Sequence, residues 1–144
     1  MANADTIYLL KECDAGSKMA VTSIDEVLDK VSNSDFLKLL VETKKHHEKL
    51  GNDLHEMLNE KGAEEKDPSP IAKGMSWMKT NVKMGMDESD ATVADLLTDG
   101  CDMGIKSLYR YMNQYKEADQ ESMAIAKRLI DIEAKLETEL RHYL

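Results

Sequence analysis

The stretch KKHHEKLGNDLHEML, residues 44–58, holds three of the chain's four histidines, with carboxylates between them. Imidazole and carboxylate are the ligand types of iron, manganese and zinc, so the stretch resembles half of a metal site. On a helix, however, positions advance by about 100° per residue, and His46 and His47 point apart. His47 and His55 are separated by ~12 Å along the axis, from the 1.5 Å rise of an α-helix. The three imidazoles cannot share one ion. HEML at 55–58 also fails the H-E-x-x-H zinc signature, because position 59 is Asn.

Only His47 falls within an apolar stripe, that of Phe36, Leu40, Thr43, Leu50, Leu54 and Leu58, while His46 and His55 lie to either side. Two readings of His47 stay open. It is a hydrogen-bonded group of the core, or it is a metal ligand completed by other helices. The carboxylates that could join it are Glu133, Asp14, Asp25 and Asp102. Glu133 lies on the stripe 122, 126, 129, 133, 136 and 140, although a competing stripe through Ile125, Leu129, Ile132 and Leu136 would push it to the flank. Asp14 and Asp25 sit at the edge of the first helix's stripe, about three turns apart. Asp102 is turned about 120° from the apolar centre of its helix. Iron or manganese would suit such a mixed oxygen–nitrogen set. Charged side chains are seldom buried without partners, so most of these carboxylates are expected to be solvated.

The elements that position these residues are helices. Aromatics make up only 5% of the chain and Gly and Pro are few, which disfavours sheet before any periodicity is considered. The spacing predicts one domain over 1–144 with helices at about 4–31, 35–61, 88–116 and 120–143, and a shorter one at 71–84. The first helix carries the stripe Ile7, Leu10, Ser17, Val21, Ile24, Leu28 and Val31. SNSD at 32–35 is a tight polar turn, with Ser34 expected to cap the second helix. Gly62 is the expected C-cap of that helix, and Gly51, one turn beyond His47, marks a close helix crossing. Short links make the first and second helices antiparallel neighbours, and likewise the third and fourth. The link between the two hairpins, about 26 residues with its own short helix, is long enough to return along the bundle. Two hairpins joined by one long crossover is the ferritin-like topology.

Three stretches carry a resemblance to the ferritin-like superfamily. They are CDAG at 13–16, MSWMKTNVKMGMD around Trp77, and DGCDMGIKSLYRY on the third long helix. The chain resembles a bacterial branch of that superfamily classed only as a domain of unknown function. Asp14, Gly16, Trp77, Asp102 and Tyr109 match the branch's acidic residue and glycine, its crossover tryptophan, and its carboxylate seven residues before a tyrosine. The resemblance implies an all-α ferritin-like four-helix bundle more than an activity. Better-known members place a Glu on each of two helices and Glu-x-x-His on each of the other two. This sequence departs from that pattern, with Thr43, Lys44 and Asn52 three residues before His46, His47 and His55. Its one surviving instance, Glu139 with His142, lies in the last turn.

Composition narrows the function classes. A net charge of −9 disfavours nucleic acid and anionic membranes as partners. The apolar runs are too short to span a bilayer. MANADTIYLLKECDAG does not read as a signal peptide, and Cys13 and Cys101 have no motif spacing, so a cytoplasmic protein with two reduced thiols is expected. No catalytic residue is assigned, since neither a nucleophile elbow nor a phosphate-binding glycine loop is present. Met75, Met78, Met84 and Met86 read as adaptable packing or a partner-binding face, with soft-metal binding a weaker alternative. Leu136, Leu140, Tyr143 and Leu144 could form a homodimer seam. The expected function is a non-enzymatic structural or protein-interaction module lacking a complete di-iron site. The alternative is an iron- or manganese-binding bundle, oxidative or storage-type, centred on His47.

Overall fold

The computed structural model describes residues 3–64 and 89–144. Among these the chain is all-helical, with α1 (Ala4–Val27), α2 (Ser34–Glu60), α3 (Asp90–Gln114) and α4 (Gln120–Leu140). Short 3-10 turns follow α1 at Leu28–Lys30 and α4 at Arg141–Tyr143, where the α-helices were expected to continue. The expected helix at 71–84, with Trp77 and the methionine cluster, lies outside the described residues.

Each helix starts on a side-chain cap that takes up otherwise unpaired backbone N–H groups. Asn3, Asn33, Ser89 and Asp119 accept from Thr6, Phe36, Thr92 and Ser122 respectively. Asn33, not Ser34, therefore caps α2. Its amide oxygen also takes the Asp35 N–H, leaving Ser34 as the first helical residue. Gly62 ends α2 as expected, at φ +66°. The Ala63 N–H reaches Leu58 C=O at 2.9 Å and the Gly62 N–H reaches Asn59 C=O at 3.0 Å, the paired bonds of a Schellman cap. Because a Cβ is strained in that region, Gly62→Ala is expected to cost about 1–2 kcal/mol, read as a lower urea midpoint with an unchanged slope.

Hydrogen bonds at the two ends fix the topology. The Asp90 carboxylate accepts from the backbone N–H of Ser32 and Asn33, at 2.8 and 2.9 Å. The start of α3 is thus tied to the α1–α2 turn. At the opposite end, Asn3 donates to Glu117 C=O, and the Asp119 N–H donates to Thr6 Oγ. Lys61 lies 3.9 Å from Asp119, placing the end of α2 there as well. Hence α1 and α4 run one way, and α2 and α3 the other. The chain leaves α2 at one end of the bundle and enters α3 at the other.

Two apolar clusters fill the interior. One packs Ile24, Phe36, Leu40, Leu97 and Leu140, and the other packs Leu9, Leu50, Leu54, Ile125 and Leu129. The α2 stripe is buried at all seven positions. The α1 face is rotated from expectation: Ile7 and Val21 are half-buried, while Thr6, Leu9, Cys13 and Val27 are buried. The proposed dimer seam is largely consumed by the fold, since Leu136 and Leu140 are buried and Tyr143 stacks on Phe36 at 4.3 Å.

Candidate functional site

Between the two apolar clusters lies a polar layer, to which α1, α2 and α4 contribute buried Asp14, Ser17, Thr43, His47 and Glu133. A polar group at such a depth needs a partner, and most here have one. The Ser17 hydroxyl donates to His47 C=O at 2.9 Å, joining α1 to α2. This bond depends on a close helix approach, and Gly51 permits it. A Cβ there would stand 3.4 Å from Ser17 Oγ. The expected crossing at Gly51 is present.

His47 is fully buried and its Nε2 lies 2.8 Å from Glu133 Oε1. The oxygen stands off the direction of the ring N–H, and His47 Nδ1 has no hydrogen-bond partner among the described residues. The Glu133 carboxylate also bears on the Cys101 thiol of α3, so it sits where α2, α3 and α4 meet. Helical periodicity left Glu133 between core and flank. The structure puts it inside because an imidazole and a thiol meet it there.

The other candidates do not join this pair. Asp14 is fully buried, with its carboxylate 3.0 Å from Lys18 Nζ and 3.1 Å from His55 Nε2. Its placement corrects the expectation of a solvated stripe edge, while His55 lies half-buried on the flank of the α2 stripe, as expected. A cation one turn along α1 and an imidazole from α2 make burial of the carboxylate tolerable. Asp25 pairs with Lys44 at 2.6 Å on the exposed side of the α1–α2 hairpin. Asp102 is exposed, and its hydrogen bond to Glu137 raises the Glu137 carboxyl above the usual range. His46 and His142 are exposed.

The five residues expected around a metal therefore fall into four places, and only His47 and Glu133 meet. Among the described residues, no three His, Cys, Asp or Glu side chains gather to hold a metal ion. The donors that meet among the described residues are too few for a di-iron centre. Both cysteines are buried, and neither is a poised nucleophile. Burial, then the Glu12 and Asp14 charges, push the Cys13 thiol up to about 12. Burial and Glu133 raise Cys101 likewise. The native protein at pH 8 is expected to leave both thiols unmodified by a thiol-reactive dye, with both labelled in denaturant. Above the ordinary thiol value of 9.0 the unfolded chain sheds protons that the folded chain keeps. Stability should therefore fall as pH rises from about 9 toward 12.

Sequence periodicity did not reveal a groove between α1 and α3, a cavity of about 550 Å³ lined by apolar and small residues, with Glu133 in its wall. Its signal was the pairing of small residues one turn apart, Gly16 with Ala20 and Gly100 with Gly104. A Cβ at Gly100 or Gly104 would meet nothing within 4 Å. No helix among the described residues is long and apolar enough to cross a membrane. No family model, curated protein or solved structure matches the chain.

Proposed function

We propose that the chain is a ferritin-like four-helix bundle used as a non-enzymatic structural or protein-interaction module. The topology of two antiparallel hairpins with α2 and α3 parallel supports the ferritin-like assignment. The observation that carries the functional reading is the self-contained polar layer. Where a di-iron protein needs four carboxylates and two imidazoles converging, this layer pairs one imidazole with one carboxylate, 2.8 Å apart. Asp14 is held by Lys18 and His55 instead. On this reading the layer fixes the register of the helices, a role that buried polar groups play in other helical assemblies.

A second reading, a single-metal site at His47 and Glu133, is favoured by one specific feature. Two ligand atoms, each about 2.0–2.2 Å from one ion, would stand roughly 3 Å apart without pointing at each other. His47 Nε2 and Glu133 Oε1 have that relation. Calorimetric titration of chelator-treated protein with Fe2+ and with Mn2+ separates the readings. The structural reading expects no saturable heat. A stoichiometric binding isotherm for either ion would replace it with the second.

A further inference from the structure

The α1–α3 groove is walled by two helices and floored by a third. α1 lines it from Glu12 to Ile24 and α3 from Leu96 to Tyr111, while α4 contributes the buried residues Leu129, Glu133 and Leu136. Its length is roughly 20 Å at 1.5 Å per residue. Its volume of about 550 Å³ falls in the range of sites for small organic ligands, and most of the lining is apolar. Among the described residues its charged members are Glu12, Asp99 and Glu133, all acidic. The chain carries 19 lysines and arginines, and none of them stands on these described walls.

The three carboxylates are not equivalent. Asp99 is exposed at the rim, and Glu12 shares a hydrogen bond with Tyr111 at one end. Glu133 stands in the floor between two leucines, with 11% of its side chain exposed. His47 approaches it at 2.8 Å, but off the direction of the ring N–H. A carboxylate at this depth gains from a well-directed cationic donor, because little water competes for it there. The small wall residues leave room for such a donor. Gly100 and Gly104 lie to either side of Cys101, whose thiol the carboxylate bears on, and a Cβ at either glycine would meet nothing within 4 Å. Gly16 faces Leu129, one turn before Glu133, where a Cβ would stand 3.7 Å from Cδ2.

A ligand that matches these surfaces has an apolar body for the walls and one cationic head for the floor. A second copy of the chain matches poorly, since its net charge of −9 would bring like charge to acidic walls. We propose that the α1–α3 groove binds a small amphiphilic amine, with its ammonium donating to Glu133 and its hydrocarbon lying along Met19, Ala20, Gly104 and Leu108. The carboxylate that meets His47 inside the bundle thereby selects a ligand from outside it.

Calorimetric titration of the full chain at pH 7 with octylamine, octanol and octanoate tests this. Octylamine, protonated at that pH, is expected to bind one-to-one and about tenfold tighter than octanol, the worth of a charge-assisted hydrogen bond. Octanoate is expected not to bind. Equal affinities for amine and alcohol, or no saturable binding of the amine, would overturn the proposal. Glu133→Gln, with its helices verified by circular dichroism, should bring the amine down to the affinity of the alcohol. A preference that survives this change would place the cation on another acidic surface and overturn the assignment. Gly104→Leu keeps every charge, favours the helix and puts a side chain into the groove. It should weaken octylamine and octanol alike, several-fold, and unchanged affinity for both would also overturn the proposal.

Discussion

His47→Ala is expected to lower the unfolding free energy by about 3–5 kcal/mol, the cost of emptying a fully buried site and leaving the Glu133 carboxylate without the imidazole beside it. Glu133 has only 11% of its side chain exposed, so after the change its carboxylate would stay largely out of water. Glu133→Ala should cost less, because a buried imidazole that loses its partner can remain neutral while a carboxylate cannot do so without taking up a proton. Replacing both, His47→Leu with Glu133→Leu, should recover most of the loss, since well-packed apolar pairs often match buried ion pairs in stability. Urea unfolding of the two single variants and the double variant closes the cycle. A single-variant cost below about 1 kcal/mol would mean that Glu133 reaches water through the groove and that the pair does little to hold the layer.

Phe36→Ala is expected to destabilise the chain by about 3–5 kcal/mol, the range for truncating a buried aromatic side chain. Phe36 is fully buried at the start of α2 and its ring stacks on Tyr143, at 4.3 Å and 7° between planes. The loss therefore has two parts, a cavity in the cluster around Leu40 and Leu140, and release of the turn Arg141–Tyr143. Hydrogen exchange should show amides near the C-terminus losing protection more than those around Leu54, which belongs to the other cluster. Equal loss in both regions would indicate that the two clusters unfold as one unit.

Much of this architecture was legible in the residues because α2 and α4 obey a simple rule. Their apolar positions recur every three or four residues, and every predicted α2 stripe position is buried. Gly62 and Gly51 were readable for the same kind of reason, one from the φ that a C-cap requires and the other from a small residue beside a stripe. The polar layer was harder. Periodicity gives the direction of a side chain on its own helix, not what stands opposite. It placed His47 inside and left Glu133 undecided, because the identity of the partner depends on the register between α2 and α4. Asp14 was misplaced for that reason. Its burial is made tolerable by Lys18, visible four residues along α1, and by His55, which only the α1–α2 packing brings within 3.1 Å. The groove was hidden because small residues one turn apart signal close helix contact as readily as open space.

The reading of this protein as a metal-free scaffold meets its most direct test in elemental analysis of the full chain, purified without chelator and repeated on His47→Ala. Less than a tenth of an equivalent of iron, manganese or zinc in both samples is the result expected of a structural His47–Glu133 pair. A stoichiometric metal in the unaltered protein, lost in His47→Ala while the helices persist, would contradict it.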